Sequence, residues 1–550
     1  MRKHFFVLLL AISLLAQTTV LAQTVRITAE ERRAAETIQA DKLSNWLHFI
    51  ASDAMGGRDT PSRGLDITAE FLKMNLDAWG FKPAGDNGTF FQEMKLVSEV
   101  PDAANTAVTV GDKSYTLNDD FFRLGGNGTG TGPLVFAGNG WMVKSKNIDA
   151  YAGIDVKDKI VVLYDGGFPN QNTLTRMPQG VTRDDLSGTR GTDWADPMTY
   201  ARENGAAGVI LIASEQLTAN WGRIRSFLSR GGTYVDGLRE GGDEGATIPV
   251  VLASGAIGEA IFAGESAGIT SPKAFSMTKT ATVKTASRRE TTMTQNVVAL
   301  WEGRDPVLKN EMVAIGAHYD HVGTNENAPG DDKIWNGADD DGSGTTAVLA
   351  IAEALAKSKV RPKRSVLLVW HAGEEKGLWG AEYFNKFPTV DIKNVVAQLN
   401  IDMIGRSKDP NNLIPCTQPG RPCNDELSGP NEVYMIGSEM MSSTLGAVAK
   451  GTNTAYLKMD YNFKYDDPKD PNRFFFRSDH FHYAQNGIPV VFWFTGVHED
   501  YHQPGDHPDK IDYQKMEKIT RTIFMTLWEL TDLKERPAVD KQLPPELTSR

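Results

Sequence analysis

Residues able to bind metal or move protons gather late in the chain, in five short stretches: His318-Tyr319-Asp320, Asp339-Asp340-Asp341, Glu374-Glu375, Asp402 and His502. Imidazole nitrogen and carboxylate oxygen are donors that zinc accepts readily. One such metal acidifies a bound water, and a pair clamps the attacking and leaving oxygens of a hydrolysis. A pair needs a shared ligand, which a carboxylate with two oxygens can supply. Adjacent residues at a strand end point in different directions. One glutamate of Glu374-Glu375 can therefore ligate while its neighbour stays free as a general base. Together these residue types imply metal-assisted hydrolysis.

Most of these groups follow apolar, strand-like runs. Met312 to Ala317 precedes His318, Val366 to Trp370 precedes the glutamate pair, and Val395 to Leu399 precedes Asp402. Such runs read as strands buried on both faces of a parallel sheet. In open α/β sheets the ligand site lies at the carboxyl ends of the strands. The three aspartates sit in Gly337 to Gly344, a turn that opens a helix with Val348, Ile351, Ala352 and Leu355 on one face. An acidic turn there also serves as an ordinary helix cap, so the run signifies only in company with the other stretches. His498-Glu499-Asp500-Tyr501-His502 matches the His-Glu-x-x-His pattern, which needs both histidines on one helix face. With a strand from Ile488 to Phe494, then Gly496 and Pro504, no stable helix of useful length is expected. His502 is kept as a ligand, whereas His498 and Glu499 are not expected to carry the chemistry. For Ser478-Asp479-His480 two readings stand: His480 contacts the substrate or its oxyanion, or the segment is a structural hydrogen-bonding corner.

At 550 residues the chain has room for about two to four domains. Its 40% hydrophobic and 23% charged content are ordinary for a soluble globular protein. Arg2 and Lys3, the apolar run Phe5 to Leu15 and the small residues near Ala22 read as a secretory signal peptide over residues 1–22, too short for a membrane span. Its removal takes away two basic residues and no acid, moving the net charge from −12 to −14. That disfavours binding nucleic acid through its phosphates. Cys416 and Cys423 are the chain's two cysteines and lie in one loop. In an exported compartment they are expected to form a local disulfide. Helical patterning runs from about Ala29 to Ala51 and again from Leu65 to Trp79. Gly125 to Pro133 reads as a linker. Short strands separated by turns follow to about residue 287, without a cluster of histidines and acids. From Asn296 strands and helices alternate, the sign of a mostly parallel sheet.

The motif set resembles peptidase family M28, the dizinc aminopeptidase-like family, in its His-x-Asp, Gly-x-Asp-Asp-x-x-Ser-Gly, Glu-Glu, Asn-x-Asp-Met and late His motifs. They occur in order from His318 to His502, with a weaker likeness around Ala51-Ser52-Asp53 and Gly57-Arg58. The section 130–287 resembles the protease-associated domain inserted in many secreted members. The resemblance implies a zinc-dependent exopeptidase fold, a mostly parallel mixed sheet with helices on both faces, plus a small β-rich α/β insertion. It implies two zinc ions per chain. One is held by His318 and Asp402 and the other by Glu375 and His502, with Asp340 as the bridge. Asp320 orients the His318 imidazole, and Glu374 is the general base toward a bridging water. The implied substrates are peptides with a free N-terminus, and the implied location is periplasmic or extracellular. Together these readings divide the chain into a leader over 1–22, an N-terminal part of the peptidase domain over 23–125, the insertion over 130–287, the catalytic domain over 288–535 and a tail over 536–550. A metallocarboxypeptidase or glutaminyl cyclase of the same fold, or a non-catalytic binding protein, are the alternatives.

Overall fold

The computed structural model describes residues 25–167, 173–229, 231–238, 248–417 and 423–548. The expected leader, 1–22, lies outside the described residues. By its internal contacts the chain forms two compact units, Met1–Met94 with Met293–Arg550, and Lys95–Thr292.

The first unit is built on a mixed sheet. Its strands are β1 (Phe91–Pro101), β2 (Ser287–Trp301), β3 (Met312–His318), β4 (Ser365–His371), β5 (Val395–Ile401), β6 (Glu432–Ile436), β7 (Asp460–Asn462) and β8 (Val490–Phe494). They lie side by side in the order β1-β2-β4-β3-β5-β8-β6-β7. The central four, β4, β3, β5 and β8, are parallel. β2 joins β4, and β6 joins β8, antiparallel. All seven residues of β3, β4 and β5 are buried, as a sheet covered on both faces requires. Alternation along β3 divides the packing. Met312 and Ala314 join Phe384 and Tyr483 in one apolar cluster, from the helices Trp379–Lys386 and His480–Gln485. The intervening residues, Val313, Ile315 and Ala317, point to the opposite face. The helices Gly344–Lys357 and Tyr513–Asp532 pack against β3 as well. The parallel register sets the C-terminal residues of β3 and β4, His318 and His371, directly opposite one another, so the chemistry-bearing turns emerge on one edge. Among the described residues no helix is long and apolar enough to cross a membrane.

The expected N-terminal helix is divided. Ala29–Ala35 and Ala40–Ile50 are separate helices, the first closed at its start by a Thr28–Glu31 capping box.

The second unit holds an eight-stranded sheet. Its strands run in the order Lys113–Tyr115, Ala107–Val110, Phe275–Thr285, Gly128–Phe136, Ile160–Leu163, Gly208–Ile212, Val250–Ala253 and Phe121–Gly125. The four from Gly128–Phe136 to Val250–Ala253 are parallel. Alternate residues feed two apolar clusters, one around Val162, Ile210 and Val251 and the other around Val161, Val209 and Leu252.

This division differs in extent from the insertion expected over 130–287. The unit begins at Lys95 rather than 130 and ends at Thr292 rather than 287. The glycine-rich Gly125–Pro133 is not a linker, for Gly128–Phe136 is a strand inside the sheet. Its glycines answer close backbone approach: a Cβ on Gly130 would stand 1.9 Å from the carbonyl oxygen of Ala207. Composition alone cannot tell that constraint from flexibility.

Candidate metal centre

His318 closes β3, and its buried imidazole faces three carboxylates. Nε2 lies 3.2 Å from Asp340 Oδ1, 3.7 Å from Asp402 Oδ2 and 4.0 Å from Glu374 Oε2. On the ring's other side, Nδ1 is 3.2 Å from the backbone carbonyl oxygen of Asp320 and 3.6 Å from its Oδ1. Asp320 therefore meets the ring more closely through its main chain, while its Oδ1 accepts the Glu374 N–H at 3.2 Å.

Asp340 presents its second oxygen elsewhere. Oδ2 is 3.1 Å from His502 Nε2, which is also 3.0 Å from Glu375 Oε2. Two groups of donor atoms, each mutually within 4.8 Å, result: His318, Asp340 and Asp402, and His321, Asp340 and Glu375. They share Asp340, and among the described residues there is no further group of this kind. His321 was missed in the sequence, although it directly follows the His-x-Asp motif. Its Nδ1 lies 2.8 Å from Glu375 Oε1.

Buried negative charge needs an opposing charge close by. Burial pushes the Asp402 carboxyl up, against His318. Burial favours neutral His318, yet Asp402 and Glu374 drive its pKa well above the usual range. For His502, burial is outweighed by hydrogen bonds to Asp340 and Glu375, and its pKa stands at about 11. The cluster thus demands positive charge. His318 Nε2 and His321 Nε2 are buried without a hydrogen-bond partner. This donor set of imidazoles and carboxylates fits divalent zinc.

The adjacent glutamates differ sharply. Burial drives the Glu374 carboxyl well above its usual range; His318 opposes this, and Glu375, Asp402 and Asp479 reinforce it. Burial and Asp340 push Glu375 up as well, but hydrogen bonds from His321 and His502 hold it at about 2.

A ring of buried groups fixes the turns. The Asp506 carboxylate accepts the N–H groups of Asp339 and Asp340 at 3.0 and 3.1 Å. Asp339 accepts from Gly405 N–H at 2.6 Å and lies 3.4 Å from His498 Nε2. His498 and Glu499 both contact Arg406, at 3.3 Å each. Residues 495–507 contain no helix, and His502 alone of the His-Glu-x-x-His pair faces Asp340 and Glu375. Arg58, fully buried, donates to the carbonyls of Ile50, Tyr319, Asn336 and Gly337 at 2.7–3.0 Å.

The cavity beside the carboxylates is lined by Asp340, Glu374 and Asp402, by the apolar Met403, Phe492, Phe494 and Val497, and by Phe474, Arg477 and Tyr501. Phe474 and Arg477 come from the aromatic stretch 456–476 and its edge. That stretch contains β7 and a short 3₁₀ turn, Phe474–Phe476. His480 is not among the lining residues. It is fully buried beside Phe475 and Phe492, at 5.2 and 4.8 Å between ring centroids, and burial lowers its pKa to about 3. Its neighbours take structural parts: Ser478 accepts from Asn400 at 2.8 Å and Asp479 lies 3.2 Å from His371. Cys416 and Cys423 are joined by a disulfide.

Comparison with known proteins places this geometry in context. The model for "Peptidase family M28" matches residues 296–527. A protein named "probable leucine aminopeptidase 2" from Aspergillus oryzae is 32% identical over 216 residues, 38% of this chain and 35% of its own length. Its namesake from Aspergillus fumigatus is 30% identical over 46% of this chain and 42% of its own length. The chain thus spans less than half the length of these curated relatives. A solved aminopeptidase from Aneurinibacillus sp. strain AM-1 aligns over 94% of this chain and 98% of its own, at 16% identity with a TM-score of 0.49.

Proposed function

We propose that the chain, whose residues 296–527 match the model for peptidase family M28, is an exported, zinc-dependent aminopeptidase acting on peptides with a free N-terminus. The observation that carries the reading is Asp340, whose two oxygens face His318 and His502 at 3.2 and 3.1 Å and join the two ligand groups; beside it, in the turn after β4, Glu374 is drawn toward its protonated form while Glu375 is held ionised. Paired environments that push two carboxyl groups apart mark an acid–base residue beside a fixed anion.

His318 and Asp402 would hold one zinc ion, Glu375 and His502 the other, and Asp340 would serve both. Two bound zinc ions would supply Lewis acidity, acidifying water and polarising a carbonyl. The remaining work falls to the chain. Glu374, in the cavity wall, takes a proton from the attacking water and returns it to the leaving amine. Asp320 fixes the main chain of Glu374 and flanks His318. Met403, Phe492, Phe494 and Val497 offer an apolar wall to the side chain of the residue removed. Export is supported by the apolar N-terminal run and by the Cys416–Cys423 disulfide.

One observation favours a second reading, a metallocarboxypeptidase. Arg477 brings an exposed guanidinium to the cavity, donating to Tyr501 Oη at 3.1 Å, and a guanidinium recognises a carboxylate well. One peptide with its N-terminus free or acetylated separates the two. Stepwise loss of N-terminal residues from the free form alone supports the aminopeptidase. Shortening of both forms from the C-terminus would transfer the assignment to the carboxypeptidase, and cleavage of neither would remove both.

A further inference from the structure

His321 stands one residue beyond the motif that supplies His318 and Asp320, and nothing in the proposed reaction uses it. Its ring is fully buried. The backbone holds it from two sides: its N–H donates to the carbonyl of Arg58 at 3.1 Å, and Gly337 lies against the ring. A Cβ at position 337 would come 2.5 Å from the imidazole Cγ. The sequence keeps a glycine where any side chain would displace the histidine, so the space for this ring is specific.

The ring's nearest polar neighbour is Glu375; Asp340 Oδ2 stands farther from the same nitrogen, at 3.9 Å. The two oxygens of that carboxylate are divided between two imidazoles: Oε1 lies 2.8 Å from His321 Nδ1, and Oε2 lies 3.0 Å from His502 Nε2. The two rings meet edge to face at 5.7 Å between centroids. His502 is partly exposed, whereas His321 lies beneath. A carboxylate whose rear oxygen is held by a buried donor has its front oxygen aimed, and partners of this kind commonly change metal affinity 10- to 100-fold.

We infer that His321 is a positioning residue of the second ligand group: its Nδ1–H holds Glu375 Oε1 and so presents Oε2, with His502 and Asp340, to a divalent cation. His318 and Asp402 do not depend on it. The inference rests on the two-zinc reading above and deepens it.

The test is zinc affinity of the full chain, measured by competition with a chromogenic chelator, for wild type, His321→Leu and His321→Asn. Leucine removes the donor, whereas the asparagine amide keeps an N–H close to the position of Nδ1. His321→Leu is expected to weaken one of two zinc ions about 10- to 100-fold and to spare the other, with most of the loss restored in His321→Asn. Unchanged affinities in His321→Leu, or equal weakening of both ions, overturn the inference. Weakening in His321→Asn as large as in His321→Leu overturns the positioning role in favour of direct ligation. Should His321→Leu fail to fold, His321→Ala against His321→Asn makes the same comparison. A wild-type chain that takes up fewer than two ions overturns the two-zinc reading and this inference with it. Two ions bound by wild type and bound equally well by His321→Leu overturn this inference alone.

Discussion

Asp320 Oδ1 accepts a hydrogen bond from the backbone N–H of Glu374 at 3.2 Å, tying the turn after β3 to the turn after β4. The acid beside the His318 imidazole therefore also sets the position of the proposed base. Asp320→Ala removes the carboxylate from both places, leaving only the main-chain carbonyl against His318 Nδ1. Zinc affinity is expected to fall about 10- to 100-fold, with turnover reduced further at saturating zinc because Glu374 is no longer fixed. Asp320→Asn, which keeps an acceptor for that N–H, should lose less turnover. Equal turnover in wild type and Asp320→Ala at saturating zinc would remove the residue from the account.

Glu374→Gln keeps the volume of the side chain and removes its proton chemistry. General acid–base groups contribute about 100- to 10,000-fold, so kcat should fall by that order while both zinc ions remain bound. Metal analysis alongside steady-state kinetics checks this. Near-normal turnover would transfer the role of base elsewhere.

Three of the five metal-binding stretches were legible because they sit just past the ends of apolar, fully buried strands, β3, β4 and β5. What escaped the sequence has physical causes. His321 carries no periodic or spacing signal, and its relation to Glu375 depends on how two turns meet. His480 lies next to Ser478 and Asp479 in the sequence, yet its ring turns under Phe475 and Phe492 instead of toward the carboxylates. Gly125 to Pro133 read as a linker because Gly130 answers a carbonyl 1.9 Å from where a Cβ would stand, and a glycine kept for contact looks like a glycine kept for freedom. β1 and β2 run through the boundary of the second unit without a break in pattern: the division falls at Met94 and Met293, inside Phe91–Pro101 and Ser287–Trp301.

Lys515 offers a pH test away from the metal ligands. Its ammonium donates to the carbonyls of Arg406 and Ser428 and to Ser428 Oγ at 2.8–3.0 Å. Burial lowers its pKa from 10.5 to about 7, against the pull of Asp339, Asp512 and Glu432. Between these values the unfolded chain binds the proton that the folded chain has lost, so stability rises with pH through that window. Below pH 7 both states are charged and the burial cost is borne in full. Lys515→Met has no such proton. The melting temperature of wild type should therefore gain on that of Lys515→Met by a few degrees from pH 7 to pH 10. A constant difference would contradict the assignment.

Arg58 is bound to four carbonyls, two of them in the turn before Asp339 and one on Tyr319. Burial lowers its pKa to about 10, against the pull of Asp320, Asp506, Asp341 and Asp340, so it stays charged at neutral pH. Arg58→Lys keeps the charge but not the planar fork. Leaving buried carbonyls unpaired is expected to cost about 3 kcal/mol, with zinc lost at lower denaturant than in wild type. Coincident zinc release in both proteins would show that the fork does not hold these turns.

The central claim is that Asp340 joins two ligand groups into a site that hydrolyses peptides only when both are filled. The most direct measurement adds zinc back to chelated protein while following hydrolysis of a leucyl peptide with a free N-terminus. The account predicts no activity in the chelated protein, two ions bound per chain at saturation, and full activity only as the second equivalent binds. Activity that survives chelation, or that is complete with one ion, would contradict it.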